Sequence, residues 1–199
     1  MQEIEVFADV WCPFTHVGLR RFVAERAEGR VAGVLRVRAW PLELVNGSPL
    51  DPAMVAEEID QIRAQVDADV FAGFDPDRFP RTTLPALRLS AAAYRVGPQV
   101  GEAVALELRH RLFELGQDVS DPDVLAAARE SHGVTAHAPA STVEDDWAEG
   151  RARGVTGSPH FFTPGGQFFC PALEVSHVDG HLRITADPEG FDRFLASCR

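Results

Sequence analysis

The start of the chain changes from the alternation of a β-strand to the spacing of an α-helix at one point, the dipeptide Cys12-Pro13. Residues 3–8 are β-rich and alternate between polar and apolar side chains, as in a strand with one buried face. From Pro13 onward the apolar positions follow helical spacing, and proline suits the first helical turn because its missing N–H is not needed there. The pattern predicts a buried strand followed by a helix with Cys12 at its N-terminus.

Strand-like alternation returns at residues 34–40 and then gives way to a long helical stretch, residues 51–150. This stretch is rich in Ala, Glu, Arg and Leu at helical spacing, so we expect it to be a large all-helical insertion. Its predicted helices start at Asp51-Pro52, at residues 84 and 99, at Asp121-Pro122, and at a capping-box sequence from Ser141 to Glu144.

Hairpin patterns fill the remainder of the chain. One hairpin is predicted around the turn Pro164-Gly165-Gly166 and a second around Asp179-Gly180, before a final helix over residues 188–197. The order strand, helix, strand, helical insertion, hairpins and helix predicts an α/β fold. The predicted boundaries are 1–50 with 151–199 for the α/β domain and 51–150 for the inserted helical domain.

The composition limits the partners of the protein. With 199 residues, 45% of them hydrophobic, the chain is long enough to bury a full core. A formal net charge of −11 without any lysine argues against binding nucleic acid, which needs clustered basic side chains. Because the sequence has neither a basic-then-apolar leader nor an apolar run of spanning length, we expect a cytoplasmic protein without membrane contact. Small thiols or disulfides, peptides and small apolar molecules are the expected partners, and a homodimer stays open.

Three cysteines, at positions 12, 170 and 198, are too few and too scattered for a disulfide framework, so at least one should be a free thiol. Cys12 is the strongest nucleophile candidate, because the unpaired N–H groups and dipole of a helix N-terminus stabilise a thiolate and lower the thiol pKa. His16 lies four residues later on the same side of the helix, where a protonated imidazole would stabilise the thiolate. The plainer alternatives are a buried, inert Cys12 and a His16 at the sheet edge.

The ten residues from Asp9 to Gly18, Asp-Val-Trp-Cys-Pro-Phe-Thr-His-Val-Gly, resemble the active-site segment of the FrnE-like branch of the DsbA-like thioredoxin-fold family. The order of elements extends this resemblance over nearly the whole chain. Further similar segments are residues 38–42, 87–94, 113–118 and 155–161. The resemblance implies a thioredoxin-like fold with a large all-helical insertion. It also implies a cis bond between Ser158 and Pro159, beside Cys12, where neighbouring backbone binds an extended substrate.

Thr15 departs from the FrnE-like pattern, which has a second cysteine at this position. Without that resolving thiol, Cys12 cannot alternate between a dithiol and a local disulfide, and the Thr15 hydroxyl can instead donate a hydrogen bond to the thiolate. The related kappa-type glutathione transferases and 2-hydroxychromene-2-carboxylate isomerases also lack the pair and activate glutathione. Around the site, Trp11, Pro13 and Phe14 are expected to form an apolar, substrate-facing surface, unless the aromatic rings belong to the core.

Three functions are compatible with these residues. The first is a thiol–disulfide oxidoreductase with the single active-site thiol Cys12. The second is a glutathione-dependent transferase or isomerase, with glutathione as co-substrate, and the third is a non-catalytic thioredoxin-fold binding module. No tightly bound cofactor and no metal are expected, because the other histidines show no zinc-like pairing with cysteines or carboxylates.

Cys170 is a candidate distal resolving thiol for Cys12. If Pro159 lies beside Cys12, the next strand leads away from the site and the strand after the turn returns, which brings Cys170 back to the active-site end. Strands lie about 4.8 Å apart and a disulfide needs Cα atoms within about 7 Å, so a direct bond requires movement of one segment. The alternative is that Cys170 is a buried core thiol.

Overall fold

Four strands form the central sheet of the computed structural model, which describes residues 2–178 and 181–199. β1 (Glu3–Ala8) pairs in parallel with β2 (Val34–Ala39) and antiparallel with β3 (His160–Thr163), and β3 pairs antiparallel with β4 (Gly166–Phe169). The order across the sheet is β2-β1-β3-β4. The alternation of β1 predicts one buried face, but the end of this strand is buried on both faces. The reason is that helices cover both sides of the sheet there.

The predicted turn from strand to helix is confirmed. Cys12 has an extended backbone and is the N-cap of α1 (Pro13–Ala27), with proline in the first turn. The other helices are α2 (Leu42–Asn46), α3 (Pro52–Gln65), α4 (Leu84–Tyr94), α5 (Pro98–Phe113), α6 (Pro122–Ser131), α7 (Thr142–Ala152) and α8 (Pro188–Ser197), with a 3₁₀ turn at Pro76–Arg78. The sequence does not predict α2, because five residues are too few for a helical period to emerge.

Two of the predicted helix caps are present and one is not. The Asp51 carboxylate accepts the N–H of Ala53, and Asp121 caps α6 in the same way. The capping box at Ser141 is wrong, because the Ser141 backbone is already helical and its hydroxyl donates to the Asp145 carboxylate instead. The helix nevertheless begins next to the predicted start, at Thr142.

One hydrophobic cluster joins the sheet to the helical insertion. Val6 and Leu35 from the sheet belong to the same buried cluster as Leu87 of α4 and Leu108 of α5. The side chains of α5 that repeat at helical spacing therefore pack on the sheet, which places this helix directly behind β2. That residues 51–150 form a domain of their own stays a prediction.

A second, two-stranded sheet follows the central one. β5 (Leu173–Val178) pairs antiparallel with β6 (His181–Ala186), and α8 ends the chain. The predicted turn at Asp179-Gly180 lies outside the described residues. None of the helices in the described part of the chain has the length and apolar character needed to span a bilayer.

Candidate active site

Cys12 lies where β1 passes into α1, and its thiol contacts the loop that precedes β3. The Sγ atom donates a hydrogen bond to the backbone carbonyl of Ser158 over 3.1 Å. The bond between Ser158 and Pro159 is cis, as the family resemblance implies. The structure therefore brings together the two segments that the sequence assigns to the site.

Two hydroxyl groups connect this loop to the helix start. The hydroxyls of Thr15 and Ser158 are hydrogen-bonded to each other over 2.8 Å, and Ser158 Oγ also accepts the backbone N–H of Asp9 over 2.9 Å. Hydrogen bonding by both hydroxyls lowers the pKa of the Cys12 thiol. The Thr15 side chain thus occupies the place of a resolving cysteine with a hydrogen-bond donor for the thiolate.

Burial dominates the electrostatics of Cys12. The side chain is 3% exposed, and this burial raises the pKa of the Cys12 thiol, while hydrogen bonds from Thr15 and Ser158 lower it. The predicted lowering of the pKa by the helix N-terminus is therefore wrong for the thiol as it is buried in this structure. The depth of burial, which depends on segments far away in sequence, outweighs the local effect.

His16 has a different partner from the predicted one. Its Nε2 atom lies 2.7 Å from the carboxylate of Glu114, and its ring packs against Phe71 and Phe113. Burial lowers the pKa of His16, although Glu114 opposes this effect, so the neutral imidazole is favoured near pH 7. His16 therefore pairs with Glu114 and not with Cys12, and its ring connects α1 to the insertion.

The three residues that are predicted to form an apolar surface around Cys12 differ in their surroundings. Trp11 is fully buried and stacks on Phe79, so it belongs to the core and not to a substrate-facing surface. Phe14 is half-buried and lines a cavity of about 730 Å³ together with Cys170 and Pro171. Pro13, in contrast, is buried in the first turn of α1. Of the three predicted surface residues, only Phe14 faces a space that a substrate can enter.

Asp9 is a buried carboxylate that the sequence analysis does not single out. Its Oδ1 atom accepts the N–H of Val10 and the hydroxyl of Thr83, over 2.6 and 2.7 Å. Its Oδ2 atom accepts the N–H of Leu42 over 2.6 Å. Burial raises the pKa of Asp9 to about 6, although these hydrogen bonds lower it. Asp9 therefore fixes the end of β1 to the starts of α2 and α4, directly before the Cys12 turn.

Arg109 of α5 is the second buried charge that the sequence analysis does not find. It is 1% exposed, and its guanidinium donates to the backbone carbonyls of Asp9 and Ala105 over 2.9 and 2.7 Å. Its Nε atom has no hydrogen-bond partner within the described ranges. Burial lowers the pKa of Arg109 to about 10, so it stays protonated near neutral pH, and its charge and a Cys12 thiolate stabilise each other.

Glu58 of α3 is the third group that the sequence analysis does not single out. Its charge disfavours the Cys12 thiolate, whereas the charge of Arg109 stabilises it. Val55, Ile59 and Ile62 form the buried face of this helix, and Glu58 lies half-buried at its rim. Burial raises the pKa of Glu58 to about 7, and its negative charge raises the pKa of Cys12. The sequence analysis does not single out this carboxylate, but the packing of α3 brings it near enough to the thiol for its charge to act on it.

The opposing charge of Glu58 leads to a measurable expectation. We expect Glu58→Gln to move the midpoint of Cys12 alkylation by iodoacetamide to lower pH, because a carboxylate that disfavours the thiolate is removed. A pH profile of the labelling rate measures this, with the exposed neighbour Glu57→Gln as the matched control. Equal profiles for both variants and the wild type would contradict the assignment of Glu58 to the site.

A sheet of this topology, a cysteine at the start of the helix after its central strand and a cis-proline against that cysteine define a thioredoxin-fold thiol protein. The family model described as the DSBA-like thioredoxin domain matches residues 3–183, and the chain belongs to this family. The family assignment and the thioredoxin-like fold class that the sequence predicts are thereby confirmed. No protein of curated function matches the sequence.

Several solved structures share the fold. The cytosolic disulfide reductase DsbM from Pseudomonas aeruginosa is 15% identical with a TM-score of 0.63, over 99% of this chain and 93% of that one. A 2-hydroxychromene-2-carboxylate isomerase is 12% identical with a TM-score of 0.59, over 84% and 88%. A putative protein disulfide isomerase from Nitrosomonas europaea is 13% identical with a TM-score of 0.58, over 98% and 97%. A further DsbM structure contains GSH. At these identities the likeness concerns the fold alone.

Proposed function

We propose that the protein is a thiol–disulfide oxidoreductase that uses Cys12 as the only thiol of its active-site motif. The observation that carries this proposal is the hydrogen bond from the Cys12 thiol to the Ser158 carbonyl at the start of α1, beside the paired hydroxyls of Thr15 and Ser158. The Cys12 thiolate attacks one sulfur of a disulfide, a new S–S bond forms, and the other half leaves as a thiolate. A second thiol then attacks the mixed disulfide and regenerates Cys12.

Glutathione is the co-substrate that we propose for this reaction. Thr15 replaces the resolving cysteine of the motif, so the thiol that releases Cys12 has to come from elsewhere. The cavity between Phe14 and the Cys170-Pro171 segment offers space for a small disulfide next to α1. A DsbM structure with GSH and the description of that protein as cytosolic support both the ligand and a cytoplasmic location for this chain.

A second candidate function is a glutathione-dependent transferase or isomerase. The cavity favours it, because Phe14, Phe168 and Leu173 give it an apolar wall against which a small hydrophobic substrate can pack. The Thr15 hydroxyl and Cys12 would then hold the glutathione sulfur. This function differs from the first in the fate of glutathione. A transferase would consume glutathione by conjugation and an isomerase would regenerate it, in both cases without a protein disulfide.

The release of reduced glutathione from oxidised glutathione tests the proposed function. We expect the fully reduced wild-type protein to release reduced glutathione, because each attack by Cys12 on oxidised glutathione expels one glutathione thiolate. The Cys12→Ser variant should release none, and Cys198→Ser, which alters a buried thiol near the C-terminus, should behave as the wild type.

Two other results would redirect the assignment. Release by the wild type no faster than by Cys12→Ser would contradict the oxidoreductase. If the same protein then conjugated glutathione to a small apolar electrophile, the second candidate would take its place. If the protein neither released reduced glutathione nor conjugated it, a non-catalytic binding module would be favoured.

A further inference from the structure

Cys12 and Cys170 reach the same edge of the central sheet. β1 and β4 each pair antiparallel with β3, so they run parallel to each other. At the level of His160, β3 faces Phe7 of β1 on one side and Phe169 of β4 on the other. The chain therefore leaves both strands at one end, towards Cys12 in the first case and directly into Cys170 in the second.

Two consecutive residues of the loop before β3 hold both cysteines. The carbonyl of Ser158 accepts the thiol of Cys12 over 3.1 Å, and the carbonyl of Pro159 accepts the backbone N–H of Cys170 over 2.9 Å. Both cysteines are free, and their side chains are 3% and 8% exposed. Both thiols are thus buried beside the same two residues of the loop before β3.

The backbone of Cys170 is unusual for a cysteine. Its φ of 44° lies in the left-handed region, which glycine adopts without cost and which costs a residue with a Cβ atom about 1 kcal/mol. Such a conformation at a non-glycine residue is concentrated at functional sites. Burial and the charge of Cys12 together raise the pKa of Cys170 to about 12, so the two sulfurs interact electrostatically.

We propose that Cys170 is the resolving thiol of Cys12 and that the two form a reversible disulfide. This proposal rests on the function proposed above, because it uses the mixed disulfide between Cys12 and glutathione as its substrate. Cys170 attacks Cys12 Sγ, a Cys12–Cys170 bond forms, and the bound glutathione leaves as a thiolate that takes up the proton of Cys170. In sum, two protein thiols lose two electrons and one glutathione disulfide becomes two glutathione thiols.

The bond requires one short segment to move. Cys12 and Cys170 follow strands that are two strand spacings apart, about 10 Å, whereas a disulfide needs Cα atoms within about 7 Å. The segment between β4 and β5, residues 170–172, belongs to neither strand and borders the cavity that Phe14 also lines. Movement of this turn brings Cys170 to the sulfur of Cys12 and breaks the hydrogen bond between the Cys170 N–H and the Pro159 carbonyl, while the residue pairs of β4 and β5 remain.

Peptide mapping of the full-length protein separates the three thiols. Cleavage after arginine gives one peptide for each cysteine, residues 1–20, 154–183 and 194–199. The reduced protein is treated with oxidised glutathione, quenched with acid, alkylated and digested. We expect the wild type to give peptide 1–20 linked to peptide 154–183 and to carry no glutathione. Cys170→Ser should retain one glutathione on Cys12, and Cys198→Ser should behave as the wild type.

The alternative outcomes identify which proposal fails. Wild type that keeps glutathione on Cys12 while Cys170 remains alkylatable overturns the inference and leaves the proposed function intact. A wild-type protein whose Cys12 takes up no glutathione and forms no disulfide contradicts both. If Cys170→Ser fails to fold, Cys170→Gly replaces it, because glycine accepts the left-handed backbone at this position. That variant should show the same retained glutathione adduct.

Discussion

Replacing Arg109 with methionine is expected to slow the alkylation of Cys12 near pH 7 about tenfold. The guanidinium is fully buried and its charge stabilises the Cys12 thiolate, so its loss raises the thiol pKa. Below the pKa, each unit reduces the thiolate fraction tenfold. The variant also leaves the Asp9 carboxylate without its buried cation, which we expect to lower the free energy of unfolding by about 3 kcal/mol.

Arg109→Lys is the matched control for this effect. It retains a positive charge but loses the forked geometry that reaches the carbonyls of Asp9 and Ala105. Alkylation of Cys12 should therefore stay within a few-fold of the wild-type rate, while urea unfolding reports the loss of a hydrogen bond. Equal slowing by Arg109→Lys and Arg109→Met would mean that geometry, and not charge, connects Arg109 to the thiol.

The sequence predicts the centre of the site well because its signals are local. The change of period at Cys12-Pro13 locates the strand end and the helix start within a few residues, and the structure has both. The family resemblance adds Ser158 and Pro159, which lie far along the chain but in a recognisable motif. These residues define the candidate site, but they do not fix the electrostatics around it.

The electrostatics depend on charged residues that helices of the insertion bring to the site. Arg109 lies on the same face of α5 as Ala105, Leu108 and Leu112, which are buried. The position of Arg109 within an apolar helical stripe is the sequence signal that could have identified it, because a buried charge must find partners in the interior. Glu58 gives a weaker signal, since it stands at the edge of its stripe. The contacts that bring α5 and α3 to the site cannot be derived from the hydrophobic period of either helix alone.

We expect Asp9 to contribute to the free energy of unfolding, and we expect this contribution to fall as the pH rises from about 4 to about 6. An unfolded aspartate titrates near 3.9, whereas burial raises the pKa of Asp9 to about 6 in the folded protein. Between these values the folded state keeps a proton that the unfolded state has already lost, so deprotonation favours unfolding. A difference of roughly two units corresponds to about 3 kcal/mol, fully present below the unfolded pKa and lost as pH rises through the folded one.

Asp9→Asn isolates this contribution from those of the other titrating groups. Unfolding by urea near pH 4 and near pH 7 gives a stability difference between wild type and variant at each pH, in which the effects of Glu58 and Glu114 cancel. We expect that difference to favour the wild type by about 2 kcal/mol more near pH 4 than near pH 7. Thr83→Val removes a hydrogen bond that lowers the pKa of Asp9, so it should move the window to higher pH. A difference between wild type and Asp9→Asn that is the same at both pH values would show that Asp9 stays ionised throughout, held by Val10, Leu42 and Thr83 despite its burial.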